Sequence, residues 1–153
     1  MEILQNQNPI LRAVSEQVKV PVSQEDKSLL NEMFSYLKEH SDTAVGLSAV
    51  QVGVLKRMCA IRFSRNGKTI SYKLVNPKIV WHSSKKMFHA EGCLSVPESH
   101  DEELIGRWEA IKVSAFDLIT NKYIVIYAIG HESIILQHEI DHMDGKLFID
   151  YIN

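Results

Sequence analysis

The feature that most constrains this chain is a short run near its C-terminal end, where residues 138–142 read HEIDH. Histidines four positions apart on a helix lie about 40° apart around its axis and about 6 Å apart along it. Both imidazoles can therefore bind one metal ion, with Glu139 beside them. A metal-activated water next to a carboxylate base is a hydrolytic centre, so this run favours a metal-dependent hydrolase.

Two histidines leave the metal site incomplete, because a catalytic site usually has three protein ligands and a water. Metalloproteases with this motif take the third ligand from downstream residues. Here the downstream histidine position of the extended motif holds Phe148, and Asp144 and Asp150 are weak candidates. Upstream, residues 91–95 read EGCLS, so Cys93 offers a thiolate as the third ligand instead.

Helix patterns flank a central series of strand patterns. Ser23 is a good N-cap for an amphipathic helix over residues 24–40, and a second helix is predicted over residues 132–143, ending near Gly145. Strands are predicted over residues 58–63, 70–75, 78–81, 111–116 and 123–128, with a hairpin turn at Asn66-Gly67. This order favours an α+β fold with an antiparallel sheet over a doubly wound α/β fold.

The length of 153 residues suits a single domain over residues 1–153. A net charge of −2 gives no sign of direct nucleic-acid or membrane binding. Two cysteines are too few for a disulfide framework, the N-terminus lacks the features of a signal peptide, and no apolar run approaches the roughly 18 residues of a membrane span. We therefore expect a cytoplasmic protein.

Three segments together resemble the signature motifs of the peptide deformylases. They read GLSAVQVG over residues 46–53, EGCLS over residues 91–95 and HEIDH over residues 138–142, and they occur in the family's order. The resemblance implies antiparallel sheets packed around a central helix that carries the HEIDH run, with another helix near the N-terminus. It also implies hydrolysis of the formyl group of N-terminal formylmethionine in newly made polypeptides, with release of formate.

The resemblance assigns roles to six residues. It implies one divalent metal ion per chain, with Fe²⁺ as the native metal and Zn²⁺, Ni²⁺ or Co²⁺ able to occupy the same site, held by Cys93, His138 and His142. Glu139 is the expected general base. The side-chain amide of Gln51 and the backbone N–H of Leu94 are the expected donors to the developing oxyanion.

The methionine pocket is expected to be apolar. By resemblance it is lined by Val45, Leu94, Ile134, Ile135 and His138. His131 stands where the family usually has an apolar residue and would narrow or polarise the far wall. Gly46 is expected to let the substrate backbone run close to its loop. The implied partners are N-formylmethionyl nascent peptides, with a transient ribosome contact, and the chain is expected to be a monomer.

Supporting contacts are expected from Asp141 and from an ion pair between Glu91 and Arg107. Four other histidines are expected to be surface or pocket residues rather than ligands: His82, His89, His100 and His131.

The chain departs from the family pattern in three places. The first motif has Ser48 where alanine is common and Val50 where proline or another residue often stands. Residues 98–107 are divergent, which puts recognition of the peptide beyond methionine in question. The sequence ends at Asn153, where many bacterial members continue into a further helix, so it resembles short forms that include virus-encoded ones acting in a bacterial host's cytoplasm.

Two other functions remain open at this point. A zincin-type metalloprotease would need a third ligand after the second helix. A non-catalytic binding protein would have a closed four-ligand site or would lack the base.

Overall fold

The computed structural model describes residues 1–152, which form two α-helices and seven strands. The helices are α1 (Gln24–Glu39) and α2 (His131–Met143). The strands are β1 (Gly46–Ser48), β2 (Met58–Arg65), β3 (Lys68–His82), β4 (Lys86–His89), β5 (Ile105–Trp108), β6 (Ala110–Asp117) and β7 (Lys122–Ile129). Single-turn 3₁₀ helices span Pro9–Arg12, Ala49–Val52 and Phe148–Tyr151.

Five strands form one antiparallel sheet in the order β1-β2-β3-β6-β7, and β4 pairs with β5 in a separate two-stranded sheet. Alternate residues of β2 point to opposite faces. Cys59 and Ile61 join a core that includes Leu136 and Ile140 of α2, whereas the neighbouring residues of β2 face α1. Both helices therefore pack on the large sheet, one on each face.

The second sheet contacts the other side of α2. Ser133 Oγ donates to the backbone carbonyl of Trp108 at 2.8 Å, and Gln137 bridges the same backbone by donating to its carbonyl and accepting from its N–H. The helix that carries the HEIDH run thus lies between two antiparallel sheets. The predicted α+β fold with a central motif helix is confirmed.

The first helix follows the prediction closely. Ser23 Oγ accepts from the Asp26 N–H at 3.1 Å, which satisfies one of the free N–H groups of the first turn. Leu30, Met33 and Leu37 form the buried face. The helix ends at Glu39, one residue before the predicted end, with His40 as its C-cap.

The middle of the chain differs from the prediction in one strand. The segments 70–75 and 78–81, predicted as two strands, belong to the single strand β3. Its pairing with β6 shifts register between Val75 and Lys78, where Asn76 has φ of 53°. Asn76 and Pro77 lie at an irregularity inside the strand, and the Asn76 side chain accepts from the N–H and donates to the carbonyl of Val18.

The motif helix begins at His131 and is followed by Gly145 with φ of 75°, the left-handed position predicted for its end. The short strands β1, β4 and β5 were not predicted. Within residues 1–152, neither α-helix combines the length and apolar character that crossing a membrane requires.

Candidate metal centre

The HEIDH run lies on α2 and turns both of its histidines toward Cys93. The Nε2 atoms of His138 and His142 lie 3.2 Å apart, and Cys93 Sγ lies 3.5 Å from His142 Nε2. One ligand atom from each of the three residues lies within 4.8 Å of the others. Cys93 comes from the turn that follows β4, so residues 45 positions apart in the sequence meet at one point.

The chemistry of these three side chains fits a divalent metal. Glu91 Oε1 accepts from His138 Nδ1 at 2.8 Å, so a neutral His138 carries its proton there and presents a lone pair on Nε2. Burial lowers the pKa of His142 well below its usual value, which favours the neutral form that binds metal. Two imidazole lone pairs facing a cysteine sulfur form a soft donor set suited to Fe²⁺, Zn²⁺, Ni²⁺ or Co²⁺.

The two downstream aspartates pair elsewhere. Asp144 lies 3.0 Å from Arg57, and Asp150 lies 2.7 Å from Arg12. Neither belongs to the three-residue cluster. Within residues 1–152 the third ligand that a zincin-type protease would take from beyond α2 is therefore not found.

A buried ion-pair network supports His138. Glu91 accepts from Arg107 Nε at 2.7 Å and from Arg107 Nη2 at 3.0 Å, and Arg107 Nη1 donates to Asp141 at 2.6 Å. Burial alone would raise the pKa of Glu91, but the bonds from His138 and Arg107 hold it well below the usual range. An ionised Glu91 therefore fixes the ring of His138, and the expected pair of Glu91 and Arg107 is present.

Glu139 lies against the first motif. It is 3% exposed, and Ser48 Oγ lies 3.0 Å from its Oε1 and 2.9 Å from its backbone oxygen. Burial raises the pKa of this carboxyl. A methyl group at Gly46 would lie 2.8 Å from Glu139 Cδ, so the space that a side chain would fill at residue 46 is taken by Glu139. The close approach of Glu139 to the backbone requires glycine at residue 46, in addition to the approach expected of a substrate.

The side-chain amide of Gln51 has a fixed orientation. Its Oε1 accepts from the Ser48 N–H at 2.9 Å, and its Nε2 donates to Ser95 Oγ at 3.1 Å and lies 3.7 Å from Cys93 Sγ. The NH₂ group therefore faces the Cys93 side. Among the described residues, the backbone N–H of Leu94 has no acceptor. Both are donors beside the three-residue cluster.

A cavity of about 610 Å³ opens over this cluster. The residues that line it include all of those predicted for the substrate pocket, together with Glu139 and Gln51. They are Val45, Gly46, Gln51, Leu94, His131, Ile134, Ile135, His138 and Glu139. His131 lies at the first turn of α2, and the centroids of its ring and of the Phe63 ring lie 5.7 Å apart in an edge-to-face arrangement. The arrangement combines an apolar wall with a polar floor.

Sequence reasoning did not identify several further lining residues, namely Thr43, Ala44, Met87 and Ala90, nor the contact of His89 with Glu91. Met87 and His89 lie on β4, a four-residue strand whose sequence KMFH does not alternate apolar and polar residues, so no local pattern indicated them. Thr43 and Ala44 precede the first motif directly, and this proximity was the available signal.

Comparison with known proteins gives one consistent result. The family model described as polypeptide deformylase matches residues 1–153. The peptide deformylase of Enterococcus faecalis is 36% identical over 169 residues, covering 99% of this chain and 89% of that protein.

Two solved structures are similar over the whole fold. The peptide deformylase of Ehrlichia chaffeensis has a TM-score of 0.90 and 34% identity, covering 100% of this chain and 88% of that one. A probable peptide deformylase of synechococcus phage S-SSM7 has a TM-score of 0.86 and 33% identity, with 99% of each chain covered. The chain belongs to the peptide deformylase family.

Proposed function

We propose that this chain carries out the family's reaction in the cavity above Cys93, His138 and His142, with these three residues holding one divalent metal ion. Peptide deformylases are metal-dependent hydrolases that remove the formyl group from N-terminal formylmethionine of newly made polypeptides. The observation that carries the site assignment is the convergence of the three ligand atoms within 4.8 Å at a cavity that Glu139 also lines.

The metal, when bound, would supply positive charge that lowers the pKa of a water and polarises the formyl oxygen. Fe²⁺ is the metal we propose for the cell, with Zn²⁺, Ni²⁺ or Co²⁺ as functional substitutes. One thiolate and two neutral imidazoles suit all four ions. Glu91 and Arg107 keep His138 in the orientation and tautomer that ligation needs.

Glu139 acts as the general base. It takes a proton from the attacking water as the water oxygen bonds to the formyl carbon. The carbon–nitrogen bond then breaks, and Glu139 passes the proton to the departing amine, so the products are formate and a free amino terminus. Burial raises the pKa of Glu139 toward neutral pH. A group whose pKa lies near the pH of the reaction can both accept and return a proton efficiently.

Negative charge develops on the formyl oxygen as the water attacks. Gln51 Nε2 and the Leu94 N–H stabilise it as hydrogen-bond donors. Gln51 needs no reorientation for this, because Ser48 and Ser95 already hold its amide. A fixed donor does not have to reorganise during the reaction, which is the source of its catalytic effect.

The methionine side chain occupies the apolar part of the cavity, against Val45, Leu94, Ile134 and Ile135, with His131 at its far wall. The substrate backbone runs beside Gly46. This placement is supported by the position of β1 at an open edge of the large sheet, where an extended peptide can pair as an added strand.

We propose that residues 1–153 form one catalytic domain, because elements from both halves of the chain build the cavity. The three candidate ligands, the base and the oxyanion donors all lie in one chain, so we propose a monomer as the working unit. Since the substrates are newly made chains, we place the reaction in the bacterial cytoplasm, or in that of the bacterial host if a virus encodes the protein, with transient contact near the ribosome.

The test replaces Glu139 by alanine and measures formate release from formyl-Met-Ala-Ser with Ni²⁺-loaded protein. We expect Glu139→Ala to keep its metal and to lose at least about 10²-fold in kcat, the usual contribution of a general base. Glu132→Ala is the matched control, since Glu132 is also buried on α2 but bonds Tyr72 outside the cavity. Full turnover by Glu139→Ala would rule out the base assignment.

A further inference from the structure

His89 is a half-buried histidine that the proposed reaction does not use. It is the last residue of β4, it lines the cavity, and its side chain is 17% exposed. Its Nε2 lies 2.5 Å from Glu91 Oε2. Arg107 stands on the neighbouring strand β5, opposite Met87. The small sheet therefore places the side chains of His89 and Arg107 beside Glu91, which lies two residues beyond the end of β4.

The hydrogen bonds of Glu91 use both carboxylate oxygens twice. Oε1 accepts from His138 Nδ1 and Arg107 Nη2, and Oε2 accepts from Arg107 Nε and His89 Nε2. An ionised carboxylate offers about four lone-pair sites and no donor. His89 is therefore a donor, and it fills the fourth and last site.

The orientation of Glu91 determines that of His138. Groups that bond the far nitrogen of a ligating histidine fix its ring and tautomer, and their loss typically weakens metal affinity or activity by about 10- to 100-fold. Without His89, one lone pair of the buried Oε2 has no donor from the described side chains. The carboxylate is then held by Arg107 and His138 alone and is less restrained against rotation about its Cγ–Cδ bond. That rotation would move the acceptor of His138 Nδ1.

We propose that His89 is a positioning residue for His138, acting through Glu91. This inference rests on the proposed metal site and adds to it a residue on the cavity wall. Among the described residues, His89 makes no hydrogen bond to Cys93, His138 or His142; it bonds the carboxylate that holds His138. Since His89 also lines the cavity, its replacement can change KM by direct contact with a substrate, so metal affinity is the decisive measurement.

Two variants separate the hydrogen bond from the bulk of the side chain. His89→Leu fills the space of the imidazole with an apolar side chain and removes the N–H that donates to Glu91. His89→Gln retains an N–H donor at a similar reach from the backbone. The matched control is His82→Leu, because His82 is also a strand histidine, its ring stacks on Trp108 with centroids 3.8 Å apart, and it makes no bond to Glu91.

The first readout is Co²⁺ affinity of the metal-free protein, measured by competition with a chelator. We expect His89→Leu to bind about 10-fold more weakly than the parent. His89→Gln should recover most of the affinity, and His82→Leu should equal the parent. The second readout is the visible absorption of the Co²⁺ protein, whose bands respond to ligand geometry and should shift in His89→Leu alone.

Unchanged affinity and spectrum in His89→Leu would overturn the inference. Equal weakness of His89→Leu and His89→Gln would also overturn it, because bulk rather than a donor would then matter. Thermal unfolding of the metal-free proteins shows whether the variants fold, and His89→Phe replaces His89→Leu if that variant does not. If the parent binds no metal at these residues, the proposed function fails as well, whereas parent binding with an unaffected His89→Leu removes only the role of His89.

Discussion

Gly46→Ala is the substitution whose effect follows most directly from the contacts of the proposed active site. The added methyl would lie 2.8 Å from Glu139 Cδ, whereas ordinary contact begins at 3.4 Å. Glu139 or β1 must therefore move by at least about 0.6 Å. Misplacement of a catalytic group by about 1 Å can cost about 10²-fold in rate, so we expect a loss of about 10- to 100-fold in kcat.

The assay measures formate release and metal content on the same preparation. Gly46→Ala should keep one metal per chain, because the atoms nearest to the added methyl belong to Glu139 and not to Cys93, His138 or His142. Gly106→Ala is the matched control: its methyl would meet the far end of Phe88, an exposed side chain that can turn away. Full activity of Gly46→Ala would show that residue 46 does not constrain Glu139, and inactivity caused by loss of metal would equally contradict this prediction.

Three further substitutions test other parts of the site and the fold. Cys93→Ser should weaken metal binding and change metal preference, because a hydroxyl is a poorer ligand than a thiolate; chelator competition measures this, and unchanged affinity would show that Cys93 is not a ligand. Gln51→Glu keeps an acceptor for the Ser48 N–H but replaces the donor, so kcat should fall by about 10²-fold or more with metal retained; an unaltered kcat would exclude the oxyanion role. Burial raises the pKa of Asp150, but the bonds from Arg12 and the Leu147 N–H outweigh burial and hold this pKa below its usual value of 3.8. The ionised Asp150 therefore stabilises the fold at pH values above its pKa in the unfolded chain, and this stabilisation is lost as pH falls through its lower pKa in the folded chain. Asp150→Asn should therefore lower Tm at pH 7, and the difference from the parent should begin to shrink only as pH falls below about 4. A difference that does not depend on pH would contradict this.

Much of the fold was predictable because its main elements carry strong local patterns. Ser23 and the apolar spacing of α1 act within a few residues, and so does Gly145 at the end of α2. The short strands β4 and β5 were not predictable in this way. Each has four residues, and their pairing depends on contacts between segments that lie 15 residues or more apart in the sequence.

The site, like the fold, combines features that local sequence patterns predict with contacts that depend on the three-dimensional arrangement. The positions of Cys93, His138 and His142 could be inferred from motifs, since spacing on a helix and a cysteine-containing turn leave few alternatives. The fit of Gly46 against Glu139 could not, because it joins residues from different elements. The complete set of donors around Glu91 was also hidden: Arg107 was a candidate from sequence, but His89 enters only through the geometry of the second sheet.

Metal-dependent formate release is the most direct test of the central claim. The protein would be prepared anaerobically, loaded with Fe²⁺ or Ni²⁺ and given formyl-Met-Ala-Ser. We expect formate release in proportion to bound metal, and we expect a chelator to stop it and returned metal to restore it. Fully metallated protein that releases no formate would contradict the claim.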